Sequence, residues 1–241
     1  MALETVDRLV PGSLTDLDGR PKPDLDERPN PWSNMSDKST RDHIVDAADH
    51  LFYRRGFEHT SFSDIADDVR ISRGNFYYHF KTKDEILDAV IDARLANTAK
   101  MLEQWERAGK NPADRIRSFI HILIANRAKI MWHGCPAGTL CAELAKLEHT
   151  SQAAASELFT LFRTWLGRQF TLLGREAEAD ALAMHLLAVS QGVATLANAF
   201  RDAEFVEREV GRMCDWLAAQ APQDSRKGRP NVHRSAEVHR Q

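Results

Sequence analysis

Residues 41–87, RDHIVDAADHLFYRRGFEHTSFSDIADDVRISRGNFYYHFKTKDEIL, hold three short helical patterns separated by tight punctuation. Ile44, Ala47, Ala48, Leu51 and Phe52 recur at three-four spacing and make one apolar stripe. Gly56 stops that helix after Arg54 and Arg55, whose charge suits a helix C-terminus. Ser61 caps a second helix, with Asp64 three residues on, and Phe62, Ile65, Ala66 and Val69 form its core side. Arg70 and Ile71 make a turn, and Ser72 caps a third helix over 72–80. That helix is too short to be a packing element alone, yet it carries Arg, Asn, two Tyr and His. A short rod of base- and phosphate-reading side chains, propped behind two apolar helices, is the requirement of a helix-turn-helix.

Charge along this stretch agrees. Arg70, Arg73, Lys81 and Lys83 are the charged groups of 70–83, with acids before them (Asp64, Asp67, Asp68) and after them (Asp84, Glu85). The whole chain of 241 residues carries a net charge of only -3, so nucleic-acid affinity has to come from a local patch. Arg73 forks onto guanine and Asn75 onto adenine in the motif's groove-facing geometry. Gly74 lets the backbone approach the bases. Tyr77 suits a thymine methyl or a phosphate, and His79 and Lys83 suit phosphates. Ser61 and Ser63 start the second helix, where hydroxyls and amides meet phosphate. Phe76 and Phe80 belong to the core; Tyr78 stays open between phosphate and packing.

These residues resemble the TetR family of bacterial transcriptional regulators. The likeness rests on Thr60-Ser61-Phe62-Ser63-Asp64-Ile65-Ala66 and on Ile71-Ser72-Arg73-Gly74-Asn75-Phe76-Tyr77-Tyr78-His79-Phe80-Lys81-Thr82-Lys83. The resemblance implies an all-α homodimer with three N-terminal DNA-binding helices and a larger C-terminal half for ligand binding and dimerisation. By position, Arg73, Gly74, Asn75, Tyr77 and His79 fall where the family reads its operator, and Lys83 where it touches phosphate. The first turn is less basic than the family pattern, and a proline-rich leader precedes the domain.

The remaining chain reads as helix throughout, with no alternating β-branched run and no Asn-Gly hairpin. Four segments follow: a leader at 1–36, a helix-turn-helix domain at 37–86, a ligand and dimer domain at 87–221, and a polar basic tail at 222–241. Pro11, Pro21, Pro23, Pro29 and Pro31 break any helix in the acidic leader, which reads as disordered. Met35, just before the folded pattern, competes with Met1 as the start of translation. Thr82 caps a long fourth helix, with Glu85 completing a capping box. A helix opened by Pro112 fades near Trp132; others span 139–147, 151–173, from Gly174 to about residue 200, and 202–219. The leader lacks a secretory signal pattern, and the chain lacks a long apolar run, so a cytoplasmic, non-membrane setting is expected.

The C-terminal half supplies a lining for a small-molecule effector: Met101, Trp105, Phe119, Trp132, Phe162 and Trp165, with His121 and His185 on otherwise apolar patterns. Plain core packing is the alternative for each. Cys135 sits in the loop Gly134-Cys135-Pro136-Ala137-Gly138-Thr139, beside His133; it resembles a segment of some family members and raises an alternative, electrophile or redox sensing through the thiol. The cysteines Cys135, Cys141 and Cys214 match no disulfide framework and no zinc spacing, so no metal and no cofactor are expected. No nucleophile-base constellation or phosphate loop is visible, so the chain reads as a non-enzyme. Leu182, Leu186, Val189, Val193 and Leu196 form one stripe, and Phe205, Val210, Met213 and Leu217 another. Together they suggest a four-helix dimer seam, or packing inside one subunit.

Overall fold

The computed structural model describes residues 39–220. The expected leader, both candidate start residues and the basic tail lie outside the described residues. The order is α1 (Thr40–Arg55), α2 (Phe62–Val69), α3 (Arg73–His79), α4 (Lys83–Ala108), α5 (Pro112–Ala125) and α6 (Arg127–His133). Then come α7 (Pro136–Lys146), α8 (Gln152–Leu172), a 3-10 turn (Glu176–Glu178), α9 (Ala179–Phe200) and α10 (Ala203–Gln220). All regular structure among the described residues is helical, as the periodicity predicts.

Side-chain caps set several of the boundaries. Ser39 and Asp42 form a reciprocal box at the start of α1, and Ser61 and Asp64 do the same for α2. Thr82 caps α4 by accepting the Glu85 N–H at 3.1 Å. The Glu85 carboxylate, however, accepts from the Lys81 N–H at 2.7 Å, one residue before the cap, so the expected box is displaced by a residue. Two further differences are local. The helix read as continuous to Trp132 breaks at Asn126, whose amide donates to the Ile122 carbonyl at 3.0 Å and competes with the helical ladder. The helix expected from Thr139 begins at Pro136, because proline is well placed in a first turn.

Two apolar clusters organise the molecule. The first joins Ile44, Ala48, Phe52, Ile65, Phe76, Phe80, Ile86, Leu87 and Ile91 with Leu140 and Leu144 of α7. The second joins Ile116, Phe119, Ile120, Trp165, Leu166, Phe170, Leu186, Val193, Val210 and Met213. The first turns of α4 pack in the former and Leu102 in the latter, so one rigid rod enters both. The expected boundary at residue 86 therefore falls inside a packed helix. The run Glu176–Phe200 holds an 18-residue window with a mean hydropathy of 1.2 and has the length of a membrane span. Its apolar face, with Ala183, Leu186, Val193 and Ala197 buried, instead packs in the second cluster, as a core helix does.

The turn after α1 is where the two halves lock. Gly56 has φ +90, and a Cβ there would lie 2.8 Å from the Glu143 Oε1. Gly56→Ala is expected to lower stability by about 2 kcal/mol through backbone strain and displacement of Glu143. Urea unfolding followed by circular dichroism measures it; an unchanged midpoint would refute the tight approach.

Candidate nucleic-acid interface

Arg70 takes a left-handed conformation (φ 58, ψ 39) and ends α2, its N–H reaching the Ala66 and Asp67 carbonyls. Ser72 then caps α3, accepting the Asn75 N–H at 3.3 Å. The turn fixes the angle of α3, and two phenylalanines fix its roll: Phe76 and Phe80 are each only 1% exposed. Phe62 meets Phe76 edge-on at 5.0 Å and stacks nearly parallel to Tyr77 at 5.5 Å. With the apolar side held down, Arg73, Gly74 and Asn75 face solvent. Tyr77 is 49% exposed and Tyr78 is 79% exposed, so Tyr78 is not a packing residue in this chain. His79 is half-buried, with its ring against Tyr78. A Cβ on Gly74 would meet nothing within 4 Å among the described residues, so their packing does not require glycine there.

The expected phosphate ligands divide. Ser63 is exposed at the start of α2. The Ser61 hydroxyl donates to Asp64 at 2.6 Å, and the Ser61 N–H donates to the same carboxylate at 2.7 Å. These bonds hold the Asp64 carboxyl below its ordinary range, so the cap is an anionic point beside the interface. Lys83 is turned inward: its Nζ donates to the Phe57 carbonyl at 3.0 Å and lies 4.1 Å from the Phe57 ring centroid. Lys81 bonds the Tyr77 carbonyl and closes the end of α3. Arg41 was not singled out by the sequence reading; its guanidinium lies 4.7 Å over the Phe80 ring and adds an exposed cation beside α3. Only the tertiary packing of α1 on α3 brings it there; locally it is one charge in a polar first turn.

The eight residues expected to line a cavity, and Cys135, are scattered. Trp105 and Trp165 meet edge-on at 5.8 Å, and Phe119 and Phe162 at 5.5 Å, within the second cluster. Met101 is half-buried on α4. His121 and His185 face outward, His121 with Nε2 3.7 Å from the Cys214 sulfur and His185 against the Trp216 ring at 4.9 Å. Trp132 lies under the Arg201 guanidinium at 3.9 Å. Cys135 accepts a weak bond from the Gln191 amide at 3.5 Å. Among the described residues, two open clefts include only Trp132 of this set. One of about 250 Å³ lies between α1 and α6–α7, lined in part by Tyr53, Trp132, His133, Glu143 and Asn198. The other, of about 370 Å³, lies by Asp88, Asp92 and Ser151.

Sequence reading also missed the joint between the halves. The Tyr53 hydroxyl donates to the Gly134 carbonyl at 2.7 Å. Burial, reinforced by the nearby Cys135, raises the phenol well above its usual range, so it stays a donor. Arg94 donates to the Pro136 carbonyl at 2.7 Å and to Asp49 at 2.6 Å. The Glu143 carboxylate accepts the Phe57 and Glu58 N–H groups, both at 3.0 Å. No local pattern marks these residues, since each bond spans at least 42 positions of chain or joins helices with unrelated periodicity.

Residues 44–90 match the family described as bacterial regulatory proteins, tetR family. An uncharacterised HTH-type transcriptional regulator of Lactococcus lactis subsp. lactis is 27% identical over 174 residues, 70% of this chain and 89% of that protein. The HTH-type transcriptional repressor DhaR of Mycobacterium sp. (strain GP1) is 24% identical over 168 residues, 66% of this chain and 82% of that protein. Among solved structures, a TetR transcriptional regulator from Legionella pneumophila superposes with a TM-score of 0.68 at 23% identity. That likeness covers 76% of this chain and 98% of the other, and it concerns the fold.

Asn75→Ala is expected to cost about 1–3 kcal/mol on the best binding sequence and to relax specificity at one base position. Arg41→Ala is expected to weaken binding to every sequence and to flatten the salt slope by about one unit. Fluorescence anisotropy on selected and scrambled duplexes separates the two; the same loss on both duplexes for Asn75→Ala would remove it from the base-reading set.

Proposed function

We propose that this chain, a TetR-family regulator by its N-terminal domain, is a homodimeric repressor that leaves operator DNA when a small molecule binds its C-terminal half. The observation that carries the DNA reading is α3: a rod anchored by Phe76 and Phe80 that leaves Arg73, Asn75 and Tyr77 exposed around its solvent side. Ser63, Gly74, Tyr78 and His79 complete the proposed contact set, with Ser61 acting through its cap and Lys83 through its hold on Phe57. This reading places the protein in the cytoplasm with DNA, and gives it no catalytic task. DhaR, one of the relatives, is named a repressor.

Two copies of α3 reach successive major grooves only if a dimer sets them about 34–36 Å apart or at a multiple of that spacing. Of the residues expected at the seam, Leu186, Val193, Val210, Met213 and Leu217 are buried within the subunit, Leu182, Val189 and Phe205 are half-buried, and Leu196 is exposed. The outward face of α9 carries Leu196 with Met184, Ala188, Gly192 and Phe200, the last 74% exposed. Small residues among larger apolar ones allow close approach about a two-fold axis. The effector then acts by favouring a dimer state whose α3 separation mismatches the half-sites, limited by its differential affinity for the two states.

A second reading, thiol sensing, is favoured by one observation. Cys135 lies between the two residues whose carbonyls hold the DNA-binding half: Gly134 binds Tyr53, and Pro136 binds Arg94. Adding bulk to that sulfur would disturb both bonds.

Three measurements check these readings. Footprinting on genomic fragments with purified protein should reveal a few protected, near-palindromic sites; uniform protection would overturn the regulator reading. Leu196→Glu should shift the protein from dimer to monomer in sedimentation and weaken operator binding by at least about tenfold, because a buried charge opposes its own copy across the axis. Alkylation with N-ethylmaleimide should release operator from the native chain but not from Cys135→Ser; equal release from both would remove the thiol reading.

A further inference from the structure

Resting on the effector reading above, we propose that Trp165 is the hydrogen-bond donor that selects the effector. The effector is then a neutral, planar, largely apolar molecule carrying one acceptor oxygen, such as an aryl ketone, aldehyde or ether.

The argument starts from an imbalance in the second core cluster. Trp165 is 5% exposed, and its Nε1–H has no partner among the described residues. Buried donors are nearly always satisfied, and an unsatisfied one opposes folding. Phenylalanine would fill much of the same space without that cost. One turn further along α8, Gln169 is fully buried and bonded at both ends of its amide: Nε2 donates to Glu106 at 3.1 Å and Oε1 accepts from Arg115 at 3.4 Å. The neighbouring buried polar group thus has partners among the described residues, and the indole N–H has none.

The surroundings define the rest of the molecule. Trp105 packs edge-on against the Trp165 ring, and the Phe119–Phe162 pair belongs to the same cluster. Aromatic walls of this kind favour a flat ring that stacks or meets them edge-on. Charge is disfavoured. Arg168 is paired with Glu106, and Arg115 is spent on the Gly109 carbonyl and on Gln169, so a buried carboxylate would find both nearby cations already committed. Trp105 and Phe162 are half-buried, so on the proposed reading entry requires them to rotate, and the effector then stabilises that opened conformation.

The test compares acetophenone with α-methylstyrene, which has the same shape but carries a methylene in place of the carbonyl oxygen. Dissociation constants come from ligand-observed NMR titration of the full chain and of Trp165→Phe. The carbonyl loses hydration on entry, so the ketone keeps pace with the alkene only if a donor meets it. The ratio of the two affinities is expected to change by about five- to tenfold in the alkene's favour in Trp165→Phe. An unchanged ratio overturns the proposal. A measurement on the native chain covers the case where the variant fails to fold. One indole N–H resonance of the five tryptophans, protected from solvent exchange, should move downfield with acetophenone and not with α-methylstyrene. If both probes bind and no indole resonance distinguishes them, Trp165 is not the selector, though the effector site stands. If neither probe binds, while the same preparation still footprints DNA, the proposal and the effector site in this cluster fall together and the DNA reading survives.

Discussion

A single carboxylate holds the architecture at its joint. Glu143, on α7, accepts two successive backbone N–H groups from the turn that follows α1. A carboxylate received by backbone amides is a charge-assisted bond, stronger than a neutral one and specific in direction. It works only because Gly56 lets the chain pass so close, and because Leu140 and Leu144 of the same helix are buried among the residues of the first core cluster. The Tyr53 and Arg94 bonds to the Gly134–Pro136 loop brace the same region from the other side. Helices α1 to α4 therefore do not hang from the C-terminal half by α4 alone. They are gripped in two places, and on the proposed reading a rearrangement of α6 and α7 would change that grip.

Phe57 shows how the grip extends. Its ring takes the Lys83 ammonium at 4.1 Å and the His149 ring edge at 5.0 Å, while its carbonyl accepts the same ammonium. One buried aromatic thus ties the end of α1, the start of α4 and the α7–α8 turn. Ser151, in that turn, donates to Asp88 on α4 at 2.7 Å and adds a further tie. Phe62 and Phe76 pack α2 and α3 into the same apolar cluster as α1, so on the proposed reading an effector would act on the position of these helices together.

Much of the N-terminal half was legible in the sequence because its signals are local. Ser61 with Asp64, the left-handed Arg70 and Ser72 each act within four residues, and the apolar spacing of Ile44 to Phe52 needs no partner to be read. The outward face of α3 followed from the same logic. Residues that owe their place to other helices were not legible: Lys83 turned inward, Arg41 brought over Phe80, Glu143 seated on a distant turn. The C-terminal half was harder still. Along α9 nearly every position is small or apolar, so both a buried and an exposed stripe satisfy the helical period, and only packing against α8 decided that Leu186 and Val193 face in while Leu196 and Phe200 face out. The scattered placement of His121 and His185 has the same origin: a polar residue in an apolar run marks a helix edge as readily as a cavity wall.

Position 74 carries a different kind of constraint. Among the described residues nothing crowds that glycine, so a methyl group added there would leave the packing of the helices undisturbed. The fold itself therefore sets no demand for hydrogen at this point. On the proposed reading the demand is external, the wall of the groove, and the bare backbone between residues 73 and 75 is the space the nucleic acid would fill.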